Sequence, residues 1–409
     1  ENIYVHWEPD KDAMQVHSGE TPFAVLNETS LNGRLLASNT GVTGAGNMTY
    51  KISEMQSDEY TFLHHELKSE NMNFSLKDKV MDDYFIQSVN YKAHIDFEKR
   101  TGNFISNGDI STISFPINMF YTRSKEFDWL IDDEKLAFKY EDPHATVDIN
   151  ATDIRDLYQM KSNGNELIST HPSQDSLQFT TTRATYDLKK YEITAEGVRF
   201  IEVADAAIFP KEGIVKIYKR AEIGTLKASK ILANTDTKYY EIFDATTHIN
   251  SRNSYYGQGN YIYLDENKEE QRLFFDSLWV TRNNLTRGRA LIAEDSILFT
   301  LSPHFSFSGE ALLLAEDEFL TFNGGVKILH ACDTSVFSAI RFKGQINPDS
   351  ILIPINATIK DMNNRSVVAA IASDRSGSIY TAFARAKNAP SNPEYISAEC
   401  FIVFNKEKQ

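Results

Sequence analysis

The chain has 409 residues, more than the roughly 250–300 at which a single core usually stops growing, so several domains or one repetitive body is expected. Hydrophobic residues make up 41% of the chain and aromatic residues 12%, which excludes wholesale disorder and favours β-structure. The net charge of −15 disfavours nucleic-acid binding, since the short basic segments Lys189-Lys190 and Lys216–Arg220 do not form a patch that phosphates would need.

Residues 1–143 are predicted to form an N-terminal β-rich module, because short alternating runs are ended by Gly, Pro, Asn or Asp. The predicted strands are Ile3–Trp7, Arg34–Ala37, Tyr60–His64, Tyr84–Val89, Ala93–Phe97, Ser114–Phe120 and Leu136–Tyr140. Turns are expected at Gly41 and again at Gly44 and Gly46, and Arg100–Asn103 indicates a hairpin.

Residues 144–174 are interpreted as a linker with one short helix. Thr152 is the expected N-cap of a helix over Asp153–Lys161, in which Leu157 and Met160 would face inward. The polar residues that follow predict a domain boundary.

Residues 175–331 are predicted to form a β-repeat body, and residues 332–409 a C-terminal β-rich continuation. Within Gly213–Tyr218, Val215 and Ile217 share one face while Ile214 and Lys216 share the other. The C-terminal strands are expected at Ala339–Phe342, Ile351–Ile355, Val367–Ala372, Ile379–Phe383 and Phe401–Phe404, with a loop at Lys387–Pro393. The predicted fold class is therefore all-β: elongated stacked β-hairpins, a β-solenoid or β-taco-like repeats, with one short helix near 153–161.

Three segments share an alternating strand and an alanine-plus-polar step: residues 33–46, 191–201 and 309–325. Alanine followed by an acidic residue also recurs at Ala204, Ala293 and Ala315. Small residues suit closely stacked strands. We favour a degenerate repeat, and the alternative is chance similarity among hairpins.

These features resemble the OstA and lipopolysaccharide-transport (LptA-like) periplasmic repeat, over residues 204–223 and 256–266 and about 130 residues in all. The resemblance implies strands stacked into an open β-taco or jelly roll. The whole chain also resembles large exported proteins of Gram-negative bacteria, which implies a location in the periplasm or at the outer-membrane surface.

Four Asp-Ser-aliphatic triplets resemble bacterial O-glycosylation acceptors, although composition alone would produce one or two. The candidate acceptors are Ser176, Ser277, Ser296 and Ser350.

Cys332 and Cys400 lie in apolar settings, where buried thiols are favoured and a disulfide between the two is left open. The first residue, Glu1, favours a mature or excised fragment, which leaves room for a cleaved export signal. No apolar run is long enough to span a bilayer, so no transmembrane segment is expected.

Candidate chemical sites are weak. Adjacent His64 and His65 would point apart on a strand, which disfavours zinc, and the acidic pairs and triplets lack a calcium loop. Ser302 with His304, and Cys332 with His330, lack a nucleophile elbow. We therefore predict no catalytic residue, no cofactor and no metal.

Four tyrosines form a candidate surface contact strip for sugar rings or a partner protein: Tyr255, Tyr256, Tyr261 and Tyr263. The favoured alternative is that Tyr261 and Tyr263 simply fill one face of a sheet.

The sequence thus predicts a non-enzymatic, exported scaffold of a Gram-negative envelope. Its partners would be envelope or outer-membrane proteins, reached through sheet edges by β-strand addition. Two alternatives are kept: a lipid or glycolipid carrier of the lipopolysaccharide-transport type, and a carbohydrate-binding or carbohydrate-active β-protein.

Overall fold

The structure is a computed structural model that describes residues 3–26, 28–108, 111–140, 151–160, 164–293, 299–329 and 338–403. It is nearly all β, with antiparallel sheets that include a curled half-barrel, and the described part holds one α-helix. The all-β class and the short helix near residues 153–161 are therefore confirmed.

The helix α1, Ile154–Gln159, is capped one residue later than predicted. The Asp153 side chain accepts the backbone N–H of Arg155, so Asp153, and not Thr152, is the N-cap. Leu157 is buried as expected, whereas Met160 is exposed at the C-cap.

Eighteen strands form the first sheet: β1 Ile3–Glu8, β2 Ala13–Ser18, β3 Phe23–Val25, β4 Thr29–Ser38, β5 Gly41–Tyr50, β6 Ser53–Phe62, β7 Glu66–Asp78, β8 Asp83–Asp96, β9 Thr101–Ser106, β10 Ser111–Phe115, β11 Phe120–Ser124, β12 Glu126–Leu130, β13 Lys135–Lys139, β14 Asn165–Ser169, β15 Gln178–Thr181, β16 Arg183–Asp187, β17 Glu192–Glu196 and β20 Val215–Ile217.

Eleven strands form the second sheet: β18 Ile201–Val203, β19 Ala206–Phe209, β21 Leu226–Leu232, β22 Glu241–Ser251, β23 Ser254–Leu264, β24 Glu270–Val280, β25 Thr286–Ile292, β26 Thr300–Ser302, β27 Phe305–Leu314, β28 Thr321–Ile328 and β29 Ile340–Gln345. Two small sheets follow, one pairing β30 Ile353–Ile355 with β34 Cys400–Ile402, the other flanking β31 Val368–Ser373 with β32 Ile379–Arg385 and β33 Glu394–Ala398. Short 3₁₀ turns lie at Pro9–Lys11, Pro172–Gln174, Lys211–Gly213 and Lys219–Ala221.

The chain divides into two compact units. The first consists of Glu1–Val203, Ala207–Ser229 and His248–Tyr255, and the second consists of Ala204–Ala206, Lys230–Thr247 and Tyr256–Gln409. The four-part division drawn from the sequence stays a prediction.

The first sheet forks at β8. From β4 to β8 each strand pairs with the next, as an antiparallel meander. The end of β8, from Tyr91 to Asp96, pairs with β9, whereas Gln87 and Ser88 near its start pair with β10. Asn90 lies between the two stretches with a φ of 62°. One branch then continues through β12, β13, β16, β17 and β20, and the other through β11, β14 and β15.

The two branches enclose an aromatic core. The rings of Phe104 and Phe127, on one branch, stack with centroids 4.6 Å apart. Phe115, on the other branch, contacts Phe138 and Tyr186 edge-to-face at 5.6 and 5.7 Å. Such edge-to-face and offset contacts stabilise a core beyond the area that they bury. The many aromatic residues of the sequence therefore serve mainly as filling between sheet layers.

Two strand pairs contain glycine directly opposite glycine. Gly33 faces Gly46 between β4 and β5, and Gly309 faces Gly324 between β27 and β28. Gly46 and Gly309 have φ values of 129° and 140°, which side chains rarely adopt. A Cβ on Gly33 would collide with the carbonyl oxygen of Ala45, and one on Gly324 with that of Ser308. Both hairpins belong to segments that the sequence identifies as related, and in both the glycines permit close backbone approach.

The second unit has an aromatic cluster and a partly buried acidic residue. Tyr263, Phe299 and Phe322 pack with ring centroids 5.3 to 6.1 Å apart. Asp205 accepts hydrogen bonds from the backbone N–H of Thr286 at 2.9 and 3.0 Å and from its hydroxyl at 2.6 Å. Asp205, the acidic residue of the Ala204-Asp205 pair, thus holds the start of β25 through hydrogen bonds.

Three sequence predictions about strands are wrong in detail. Ser114–Phe120 spans two strands, because Pro116 to Met119 form the turn between β10 and β11. Gly44 and Gly46 lie within β5 at a register shift, which is a bulge and not a turn. The two strands predicted between Tyr84 and Phe97 are one long strand, β8.

The described residues contain no helix with the length and apolarity needed to cross a membrane.

Candidate interaction site

The strand β1 is exposed on both faces. Its large apolar residues are Ile3, Tyr4, Val5 and Trp7, which expose 45%, 63%, 61% and 50% of their surface. A strand within a core buries at least one face, so these side chains are available to another molecule.

Within the described residues, one backbone edge of β1 is also open. The strand pairs with β2 from Ile3 opposite Ser18 to Glu8 opposite Ala13, and within the described residues β2 is its partner strand. Natural edge strands usually carry lysine, proline or a bulge that prevents pairing with other chains. The six residues of β1, IYVHWE, include neither lysine nor proline. We define this open edge with its apolar side chains as the β1 edge.

The sequence predicts the strand at Ile3–Trp7 correctly but does not identify its exposure. The available signal is that Ile3, Tyr4 and Val5 are consecutive apolar residues, so both faces of the strand are apolar. That pattern is more typical of a strand buried on both sides, and the absence of a covering layer is a tertiary property.

A second exposed apolar surface lies in the second unit, on the three-stranded sheet of β31, β32 and β33. Ile371 lies opposite Ile396 on one side and Thr381 on the other, and Ile379 and Phe383 continue the same face of β32. All four apolar side chains are exposed.

The four tyrosines of the predicted contact strip are not brought together as one exposed surface. Tyr255 and Tyr263 are buried, and the Tyr263 hydroxyl donates to the Leu301 carbonyl oxygen at 3.2 Å. Tyr256 is half-exposed and lies opposite Trp279, while Tyr261 is partly buried against Tyr240. Tyr263 thus fills the core, as the favoured alternative expected.

The candidate acceptor serines differ in accessibility. Ser176 and Ser350 are exposed in turns. Ser277 lies within β24, partly buried, and its hydroxyl donates to Asp276 at 2.7 Å. Ser296 and Cys332 lie outside the described residues, so glycosylation at Ser296 and the disulfide stay predictions; Cys400 is partly buried in β34.

The weak chemical candidates gain little support. Among the described residues no group of three or more His, Cys, Asp or Glu side chains could hold a metal ion. His64 and His65 lie in the bend between β6 and β7, where their rings contact each other at a tilt of 54° with centroids 3.9 Å apart. The Ser302 hydroxyl is buried and accepts the backbone N–H of His304 at 3.2 Å, which is a turn contact. His330 lies outside the described residues.

Burial shifts the pKa values of several titratable groups among the described residues. Desolvation raises the pKa of the Asp205 carboxyl above its usual value, although the hydrogen bonds from Thr286 act in the opposite direction. Burial likewise raises the pKa values of the core tyrosines Tyr60, Tyr91, Tyr186, Tyr240 and Tyr263. These shifts follow from the removal of the tyrosine hydroxyl groups from solvent.

No family model matches the chain, and neither a curated protein nor a solved structure is similar to it at a significant level. The resemblance to OstA-like repeats therefore stays a prediction, and the β1 edge is interpreted from its own geometry.

Proposed function

We propose that this protein is a non-enzymatic, exported scaffold of a Gram-negative envelope that binds a partner protein by β-strand addition at the β1 edge. The observation that carries the proposal is the exposure of Ile3, Tyr4, Val5 and Trp7 on a strand with one open backbone edge. An added strand would satisfy the open N–H and C=O groups and cover apolar surface at the same time.

The chemistry of β1 specifies the partner. Since Tyr4 projects to one face while Val5 projects to the other, the added strand should itself carry apolar residues at successive positions. The partner is therefore an extended, two-sided apolar segment of an envelope protein.

Lipid carriage is less well supported. An acyl chain needs an apolar trough, but the space between the branches of the first sheet is filled by packed aromatic rings such as Phe104, Phe127 and Phe115. We therefore place the binding function at an edge of the sheet and not in its interior.

Site-specific photo-crosslinking tests the proposal. A benzophenone side chain is placed at Tyr4, or at Val80 as a control, and the full chain is incubated with an envelope fraction. Val80 is an exposed apolar residue in the turn after β7, outside any strand. We expect the Tyr4 probe to crosslink an extended segment of one envelope protein, mapped by mass spectrometry, and the Val80 probe to leave that protein unlabelled.

Introducing a lysine at the β1 edge or at the control position makes the test specific. Val5→Lys should reduce the Tyr4 crosslink at least tenfold, because the added strand would bury an ammonium group, whereas Val80→Lys should leave it unchanged. Equal labelling from both probe positions would contradict the proposal. A crosslink to a second copy of the chain would contradict the proposed envelope partner and indicate self-association through the β1 edge.

A further inference from the structure

A row of amide side chains crosses four strands of the first sheet. Asn32 on β4 lies opposite Asn47 on β5, which lies opposite Gln56 on β6, which lies opposite Asn73 on β7. All four side chains are exposed. Neighbouring strands are about 4.8 Å apart, so the amide row extends for roughly 14 Å across the sheet.

A second polar row lies two residues farther along β5, β6 and β7 and continues onto β8. Thr49, Glu54, Ser75 and Gln87 are opposite one another on β5, β6, β7 and β8. Except for Asn32, the residues of the two rows line a groove of about 450 Å³, with Val89 at its β8 side. Side chains two residues apart point to the same face, so both rows project into the groove.

The groove is rich in unused hydrogen-bonding groups. The amides of Asn47, Gln56 and Gln87 form no hydrogen bond with the described residues. Each amide offers two N–H donors and one carbonyl acceptor. Asn73 is held in place, because its Oδ1 accepts the backbone N–H of Asn90 at 3.2 Å.

The groove carries little charge although 24% of the chain is charged. Glu54 is the ionisable residue of its lining, and the Tyr84 hydroxyl donates to the Glu54 carboxylate at 3.1 Å. The described residues that line the groove include no lysine or arginine. Lys77, two residues beyond Ser75 on β7, is paired with Asp82 at 2.7 Å and is not a free counter-charge for a phosphate or carboxylate ligand. Apart from Val89, the exposed side chains of the groove lining are polar, which disfavours an acyl chain.

We propose that this groove binds a neutral oligosaccharide that extends across the strands. Sugar hydroxyls both donate and accept hydrogen bonds, as amides do, and the strand spacing is close to the length of one sugar unit. Val89, which is more than half exposed, provides an apolar surface for the flat face of a ring. The inference uses side chains on β5 to β8 and is independent of the β1 edge.

Titration calorimetry with defined hexasaccharides tests the groove. The full chain is titrated with neutral hexamers, namely β-1,4-glucan, β-1,3-glucan, xylan and mannan fragments, and with a hexauronate. We expect at least one neutral hexamer to bind and the hexauronate not to bind. Binding of the hexauronate alone, or of none of these sugars, would overturn the proposal.

Two paired variants identify the site. Asn47→Ala with Gln56→Ala should weaken the neutral hexamer about tenfold, because several hydrogen bonds are lost. Asn47→Asp with Gln56→Glu keeps the shape but removes the N–H donors and adds charge, and should weaken binding at least as much. The control Asn283→Ala with Asn363→Ala removes two exposed turn amides of the second unit. Equal affinity in all three variants would place any binding elsewhere, and an unchanged melting temperature shows that each variant is folded.

Discussion

At the scale of single residues, Asp205 shows how a recurring sequence step acquires a structural role. Its carboxylate accepts three hydrogen bonds from Thr286, a fully buried residue at the start of β25. Burial has a larger effect than these hydrogen bonds, and it raises the pKa of the Asp205 carboxyl. The hydrogen bonds compensate only part of the cost of removing a charged group from water.

The raised pKa predicts a pH dependence of stability. In the folded state Asp205 binds a proton more readily than in the unfolded chain, so wild-type stability falls as pH rises from the ordinary carboxyl pKa of 3.8 through the raised value. The Asp205→Asn variant has no ionisable group at this position. Denaturant unfolding of both proteins between about pH 3 and pH 7 should show the wild type losing stability relative to the variant, followed by a plateau.

A constant offset between the two proteins is expected, because asparagine replaces the hydrogen bonds to Thr286 imperfectly. The informative quantity is the slope, against pH, of the difference in unfolding free energy between the two proteins. A difference that grows in favour of the wild type with rising pH would mean that the pKa of Asp205 is lowered on folding.

At the scale of elements, the glycine pairs explain why two hairpins in different parts of the chain have similar sequences. In each pair one glycine adopts a φ near 130–140° while the other faces it across the ladder. Neither position has room for a Cβ. The third related segment, residues 191–201, lacks such a pair, since Gly197 lies at a bend with a φ of 71°.

Gly33→Ala should therefore destabilise the fold by about 1–3 kcal/mol or more, because the added methyl group meets the backbone of β5 and not a flexible side chain. Gly344→Ala is the matched control within β29. Its nearest neighbours are ring atoms of Phe342 at 3.2 Å and beyond, which can shift. Chemical denaturation measures both, and equal losses would show that close backbone approach is not the cause.

Sequence periodicity predicts elements well where one face is buried. Val215 and Ile217 are fully buried and Lys216 is exposed, as alternation requires. It fails between Ser114 and Phe120, where apolar residues continue through a turn, and at Gly44, where a bulge and a turn have the same sequence signal. The fork at β8 has no local signature, since pairing with two strands depends on residues far away in the chain.

The candidate sites show the same limit. The strand β1 and the polar residues of β5 to β8 are visible in the sequence, but the open edge and the alignment of amides on four strands depend on register. Tyr255 shows the opposite case: the sequence placed it in a candidate surface strip, but the residue is buried.

At the scale of the whole molecule, net charge opposes association through exposed apolar surfaces. The chain carries −15 at pH 7 and has a sequence pI near 5.2. Light scattering should therefore increase as pH approaches 5.2, and also between about 0.01 M and about 1 M salt, because repulsion is lost or screened.

The β1 edge should contribute to this association. Val5→Lys and Val80→Lys change the net charge equally, so a difference between them reports on position alone. We expect less scattering from Val5→Lys, since an edge lysine discourages strand pairing. Identical scattering from the two variants would assign the association to another surface.

The branching of β8 also bears on how this protein tolerates change during evolution. Adding or deleting one residue in a strand inverts the inward and outward positions of everything beyond it. In most strands this inversion of the side-chain positions ends at the next turn. A one-residue change near Asn90 would shift the register of β8 against both β9 and β10. Natural variants should therefore show length differences in turns such as Lys79 to Asp82 and a constant length between Gln87 and Asp96.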